Sequence, residues 1–213
     1  MKKLFQAIRK GDLERVRQLL ETHPELVSCT AVQPPKKDDG QSPLQAALKA
    51  GAFSVAELLL DLGADVNFME AEGCLSGWRA PVLHDAVNAA VMSSRWNVCR
   101  PEGLEVFHTQ AEADRAYRLL ERMLVLGADA NRADSYGNTG IWRLCLQTRQ
   151  ILPRYDRGRP AGDRLLTPEL AADLSRVFQL LLAYGMDPDA PDRSGLTVRD
   201  RFRDEPVLEF LKA

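Results

Sequence analysis

The sequence lacks the residue clusters from which common catalytic and metal sites are built. It contains three histidines and four cysteines in 213 residues, and none of them shows the Cys-x-x-Cys or His-x-x-x-His spacing of zinc ligands. Glycine-rich phosphate loops and serine or cysteine nucleophile motifs are also missing. We therefore expect no metal, no cofactor and no enzymatic activity.

Long apolar runs and a strong net charge are missing as well. No stretch approaches the roughly 20 apolar residues that cross a bilayer, and polar residues interrupt the first 11 positions where a secretion signal would be apolar. The formal net charge of -2 gives no overall attraction to nucleic acid or membranes. Four widely spaced cysteines in a chain of this length predict free thiols. These features favour a cytoplasmic protein.

What the sequence does contain is a repeated helix ending. The pattern Leu-Leu-x-x-Gly-Ala-Asp-x-Asn at residues 59–67 returns in altered form at residues 123–131 and 181–189. A glycine free to adopt a left-handed conformation closes a helix, and the polar residues after it turn the chain. A short unit of this kind cannot bury its own apolar face, so the repetition predicts a stack in which neighbouring units cover one another.

Helix signals surround these endings. Apolar residues at helical spacing predict two short antiparallel helices near the N-terminus, and Asp12 is placed to cap the second. A helix is predicted over residues 116–126, and another begins at Thr167, where a capping residue precedes a proline in the first turn.

A specific resemblance appears at Ser42-Pro43-Leu44-Gln45-Ala46-Ala47 and at Pro81-Val82-Leu83-His84-Asp85-Ala86. Both are similar to the Thr-Pro-Leu-His-x-Ala signature of ankyrin repeats. The resemblance implies an all-α fold, an ankyrin-repeat solenoid of stacked helix-turn-helix units joined by β-turn or hairpin loops. One domain over residues 1–213 is expected, with units at about 1–36, 37–69, 70–133, 134–191 and 192–213. Two insertions, at about 90–111 and 147–166, interrupt the third and fourth units.

Several signature positions depart from the family pattern. Gln45 replaces the histidine but can still form a hydrogen bond, whereas His84 retains it and is expected to brace adjacent units rather than act as an acid or base. In the fourth unit Gly140 stands for the proline and Trp142 for the histidine, where we expect structural packing.

The insertions and turn tips carry the candidate binding residues. Long loops inside a repeat are often functional, and tryptophan, tyrosine and arginine are enriched at interface hot spots. The resemblance further implies that partners bind the concave side, formed by turn tips and first helices. The candidate partner-binding residues are Trp78, Arg79, Trp96, Arg100, Tyr136, Arg149, Arg154, Tyr155, Arg157, Arg159 and Arg193. An alternative for Trp78 and Trp96 is that they cover the ends of lengthened helices.

These features favour a non-catalytic protein-binding module, monomeric when unbound. Its partner is expected to be a protein, and the arginines of the second insertion suit an acidic surface. A sharper version is an inhibitor, since small irregular ankyrin proteins resemble bacterial immunity proteins that neutralise a cognate toxin. The alternative from another class is nucleic-acid binding through the same arginines, although aspartates among them weaken it.

Overall fold

The chain is mainly helical. The computed structural model describes residues 1–32, 38–75, 77–156 and 159–212. The α-helices in this part of the chain are α1 Lys2–Arg9, α2 Leu13–Thr22, α3 Pro43–Lys49, α4 Phe53–Asp61, α5 Val82–Met92, α6 Gln110–Val125, α7 Gly140–Ile151, α8 Pro168–Ala183 and α9 Val198–Arg201. Short 3-10 helices follow α2 at Pro24–Ser28 and α9 at Pro206–Leu211.

Side-chain caps set where several helices begin. The carboxylate of Asp12 accepts a hydrogen bond from the Arg15 amide at 3.0 Å, as predicted. The Thr167 hydroxyl accepts one from the amide of Leu170, which confirms the predicted start of α8. At α3 the Ser42 and Gln45 side chains cap each other's backbone amides. Each cap satisfies amides that the first helical turn leaves without a partner.

The helices form two layers. Within one layer α1 packs on α3, α3 on α5 and α5 on α7, while in the other α2 packs on α4, α4 on α6 and α6 on α8. Fully buried side chains from both layers fill the space between them: Leu4, Leu44, Leu59, Leu83, Leu120, Ile141 and Phe178. Contacts therefore run from each helical pair to the next along the chain.

The repeated endings connect successive units by side-chain hydrogen bonds. The Asn67 side chain donates to the Gly127 carbonyl at 2.8 Å and accepts from the Asp129 amide at 2.8 Å. One unit later, Asn131 donates to the Gly185 carbonyl at 2.7 Å and accepts from the Asp187 amide at 3.0 Å. The final asparagine of the repeated pattern is therefore an inter-unit link.

At the signature histidine position, three different side chains each contact a backbone carbonyl later in the chain. Gln45 donates to the Ala80 carbonyl at 3.1 Å, His84 Nε2 lies 3.2 Å from the Arg132 carbonyl oxygen, and Trp142 Nε1 donates to the Ala190 carbonyl at 3.4 Å. His84 and Trp142 are 1% and 3% exposed. The expected structural roles of these three side chains are confirmed.

Both expected insertions contain a β-hairpin, which the sequence reasoning did not anticipate. In the first, β1 Asn97–Arg100 pairs with β2 Gly103–Val106, and in the second, β3 Arg154–Asp156 pairs with β4 Arg159–Ala161. The flanking helices are also longer than predicted. A capping box between Thr109 and Glu112 starts α6 at Gln110 rather than at residue 116, and α7 continues to Ile151.

Candidate functional site

The two insertions pack against each other, although about 65 residues separate them in sequence. The Asn97 side chain donates to the Leu165 carbonyl and accepts from the Leu165 amide, both at 2.9 Å. The Cys99 amide donates to the Asp163 carbonyl. Because the segment at residues 163–165 lies along the edge of β1 that β2 leaves open, the insertions form one projecting unit. We call it the paired insertions: residues 95–107 and 162–166.

Trp96 lies inside this unit. Its ring stacks on Phe107 with centroids 4.0 Å apart, and the Arg164 guanidinium carbon lies 5.6 Å from the Trp96 ring centroid. The indole Nε1 donates to the Met92 carbonyl at 3.1 Å, which satisfies a carbonyl at the C-terminal end of α5. These contacts match the alternative in which Trp96 covers a helix end.

A buried ion pair anchors the paired insertions to α8. The guanidinium of Arg95 donates to both carboxylate oxygens of Asp173, at 2.9 and 3.0 Å, and the Arg95 amide donates to the same group at 3.0 Å. Arg176 Nη2 lies 3.1 Å from the Asp173 Oδ1 atom. Asp173 is 2% exposed, so four charge-assisted contacts hold the carboxylate where it could not stay unpaired.

The paired insertions expose several large apolar side chains. Leu104 and Val106 are 46% and 49% exposed, and Leu165 and Leu166 are 49% and 45% exposed. Val106 lies opposite Asn97 in the hairpin register, and Asn97 binds Leu165, so β1 lies between the two pairs of apolar side chains. Arg100 lies at the end of β1 with its guanidinium paired to Glu105.

A groove lies at the foot of the second hairpin, between the end of α7 and the C-terminal 3-10 helix. Arg149 and Arg154 line it together with Asp204 and Glu205, and the Arg149 guanidinium pairs with Glu205 at 2.8 Å. Arg154 also lines an adjoining pocket with Asp163 and Arg164. The structure therefore brings two predicted arginines to one groove, beside acidic side chains that the sequence reasoning did not include.

A second cluster surrounds Trp78, with one residue from α3 and one from α7. The indole Nε1 donates to Asp134 at 3.1 Å, the Arg143 guanidinium carbon lies 4.8 Å from the ring centroid, and Lys49 Nζ lies 5.8 Å from it. Burial opposes ionisation of Asp134, but hydrogen bonds from the Asn138 amide and Trp78 outweigh it and hold the pKa of Asp134 below its usual value. Trp78 thus joins two turns and presents a ring flanked by two cations.

Sequence comparison supports the same architecture. The family model for ankyrin repeats, in three copies, matches residues 2–70. Over those residues the chain is similar to ankyrin repeats. The matched span is about a third of the chain and covers α1 to α4. The two helical layers continue past it through α5 to α8, with hydrogen bonds of the same kind between units.

The remaining predicted site residues lie apart from the paired insertions. Arg79 bonds to Ser135 through its amide and pairs with Glu72 at 3.3 Å. Tyr136 is 59% exposed, and the exposed Arg193 passes close to Gly137. Tyr136 and Arg193 lie at turns, as expected, and Arg79 lies in the segment before α5.

Three of the predicted binding residues belong to the second hairpin. Arg157 lies outside the described residues. The backbone of Tyr155 belongs to β3 and that of Arg159 to β4, but their side chains lie outside the described part. Their binding role stays a prediction.

Sequence reasoning missed Arg95, Asn97 and Asp173, which hold the paired insertions together. Asp173 could have been noticed, because it falls on the apolar face of α8 between Leu170 and Leu174. Nothing in the sequence connects it to Arg95, 78 residues earlier.

Chemical sites of other kinds are not evident in the described ranges. Within residues 1–32, 38–75, 77–156 and 159–212, no three histidine, cysteine or acidic side chains gather in a way that could hold a metal ion. In the same ranges, no helix combines the length and apolar character needed to span a bilayer. All four cysteines are free thiols, as predicted.

Proposed function

We propose that this ankyrin protein is a non-catalytic binding module that holds one protein partner. In this proposal all 213 residues form one solenoid domain with the units and insertions set out above. The concave face, centred on Trp78, and the paired insertions contact the partner together. Ankyrin repeats generally mediate protein–protein interaction, and the unbound protein is proposed to be monomeric and cytoplasmic.

One observation carries the proposal: two distant insertions are locked together and present exposed apolar side chains. A flexible loop would lose conformational entropy on binding. A unit already held by the hydrogen bonds between Asn97 and Leu165 and by the Arg95 ion pair loses little. Exposed leucines and valines among polar groups are typical of an interaction surface. Here that surface includes Leu104, Val106 and Leu165.

Charge supports a more specific partner. Arg154 lies in the groove at the foot of the second hairpin, exposed and beside Arg164, and its fork of donors suits a carboxylate. We propose that the partner presents an acidic surface there. An inhibitor that covers the active cleft of a bacterial toxin would use a protruding unit in this way, and a toxin gene next to this one would support that version.

The experiment compares partner capture by variants. The tagged protein is used to recover its partner from the source cells, and the partner is identified by mass spectrometry. Leu104→Lys with Val106→Lys is expected to abolish capture, and Arg154→Glu to weaken it at least tenfold. The matched control is Val125→Lys, because Val125 is 66% exposed at the end of α6 away from the paired insertions. Equal capture by all variants would remove the paired insertions from the interface.

Nucleic-acid binding has less support. Arg149 and Arg100 are both paired with glutamates, which reduces the positive charge available to neutralise phosphates. Retention on generic DNA or RNA at low salt, lost as salt is raised, would instead favour this alternative.

A further inference from the structure

A groove of about 360 Å³ lies between α3 and α5. Phe53, Ala89 and Met92 give it apolar walls, and His108 also lines it. Asp85 and Asn88 line it from α5 and are three residues apart, so their side chains lie on the same face of that helix. The groove therefore combines apolar walls with two adjacent polar groups.

Both polar groups have an unused acceptor. Asp85 is 4% exposed, and neither its Oδ2 atom nor Oδ1 of Asn88 receives a hydrogen bond, although both atoms are buried. Buried acceptors are nearly always satisfied, because leaving one without a donor costs free energy. Two such atoms in one groove indicate a binding site for a hydrogen-bond donor.

The surrounding charged groups do not supply the missing donors. Lys49 Nζ lies 3.8 Å from Asp85 Oδ2, which is longer than a hydrogen bond. Glu70 is occupied by donors from Gln45 and the Ala80 amide. Arg143, from α7, stacks on Trp78 and pairs with Asp134.

The position of Asp85 is unusual within the repeat itself. Counting from the hydrogen-bonding residues Gln45, His84 and Trp142, the next position is Ala46 in the second unit, Asp85 in the third and Arg143 in the fourth. Helix packing in the second unit needs no charge there, since Ala46 is 4% exposed. The carboxyl group of Asp85 is therefore not a requirement of the fold.

We infer that this groove, the Asp85 pocket, binds a cationic side chain, a guanidinium or a primary ammonium, that a protein partner inserts. Such a group is a donor without acceptors, which matches the two free acceptor atoms. The side chain of Lys49 is about a third exposed and has several rotatable bonds, so it can move away as the new cation enters. Apolar walls suit the aliphatic stem of lysine or arginine. This inference rests on the proposed protein-binding function.

The test uses small probes, so that it does not depend on the partner. Nα-acetyl-arginine amide, the lysine analogue and the neutral citrulline analogue are each titrated into isotope-labelled protein. Nuclear magnetic resonance follows the Asn88 side-chain amide and the backbone amides of α5. The cationic probes are expected to give saturable shifts with a Kd on the order of 1–10 mM, as befits a ligand with few contacts. Citrulline is expected to bind at least tenfold more weakly, and the stronger cation identifies the preferred side chain.

Two variants and one control complete the design. Asp85→Asn is expected to weaken the cationic probes at least tenfold, and Asn88→Leu at least threefold. Glu102→Gln removes an exposed carboxylate in the first hairpin and is expected to change nothing. If Asp85→Asn does not fold, the change in probe binding caused by Asn88→Leu tests the pocket by itself. Equal shifts with citrulline, or no shifts in α5, would overturn the Asp85 pocket. If the protein captures a partner but binds no probe, the Asp85 pocket is wrong and the proposed function stands. If it binds the cationic probes but captures no partner, the proposed function is wrong and the pocket stands.

Discussion

The guanidinium of Arg95 holds the carboxylate of Asp173 through a two-pronged contact, Nε to Oδ2 at 2.9 Å and Nη2 to Oδ1 at 3.0 Å. The pair joins the start of the first insertion to α8 in the next unit. Its two partners are 19% and 3% exposed at their side chains. Since a buried bidentate pair is strongly directional, it fixes the orientation of the whole projecting unit.

Removing one partner of this pair should therefore destabilise the fold. Arg95→Leu leaves Asp173 with only Arg176 and one backbone amide as donors. We expect a loss of about 2–3 kcal/mol in the free energy of unfolding, somewhat below the usual cost of breaking a buried pair because Arg176 remains. Chemical denaturation measures it. Arg100→Leu, which removes an exposed ion pair, is the control and should leave the denaturation midpoint almost unchanged. Equal midpoints for both variants would contradict the anchoring role.

The asparagine links make a separate prediction. Asn67→Ala removes one donor and one acceptor that connect two units, and Asn131→Ala removes the equivalent pair one unit later. Each variant should lose about 1–2 kcal/mol, because two hydrogen bonds at a partly solvated site are involved. Gln179→Ala, on the exposed side of α8, serves as control. A loss no larger than that of the control would mean that these bonds contribute nothing measurable.

Much of the fold could be predicted because its signals are local. The closing glycines, the Asp12 and Thr167 caps and the signature residues act within a few positions of themselves. The hairpins could not be predicted in the same way. A two-stranded hairpin is marginally stable alone, and β1 is completed by Asp163 and Leu165, whose contribution depends on the folded stack. The same applies to the candidate site: composition pointed to the insertions, but only the fold joins them.

Gly140 shows how a departure from the family signature can be explained afterwards. A Cβ atom at this position would lie 2.5 Å from Met186 Cε and 2.8 Å from the Ala130 carbonyl oxygen. The family proline has no room there. Gly140→Ala should cost about 1–3 kcal/mol in the free energy of unfolding, because the backbone carbonyl cannot move aside as a side chain can.

Combining that change with Met186→Ala tests the physical reason. The double variant relieves the side-chain contact and leaves the contact with the Ala130 carbonyl. It should therefore recover only part of the loss relative to Met186→Ala alone. Full recovery in thermal unfolding would show that the methionine, rather than the backbone, excludes the larger residue.

Adjacent residues His84 and Asp85 should give opposite pH dependences of stability. Burial is the main cause of both shifts: it lowers the pKa of His84 from 6.5 to about 4 and raises the pKa of Asp85 from 3.8 to about 7. Lys49 and Arg143 oppose the shift of Asp85, and Glu70 adds to it. Between pH 4 and 6.5 the folded protein binds fewer protons at His84 than the unfolded chain does. Between pH 3.8 and 7 it binds more protons at Asp85. The His84 contribution to stability is therefore lost as pH falls from 6.5 towards 4, whereas the Asp85 contribution is lost as pH rises from 3.8 towards 7.

Single variants separate the two effects. His84→Gln uses the residue that the second unit already has at this position, so the inter-unit bond can be kept. Without the histidine, the free energy of unfolding should fall with rising pH between 4.5 and 6.5, by about 2 kcal/mol more than in the wild type. Asp85→Asn should change the slope by a similar amount in the other direction. Denaturation at a series of pH values measures both slopes, with His23→Gln as the control for loss of an exposed histidine. Slopes equal to that of the wild type would show that neither residue titrates differently in the folded protein.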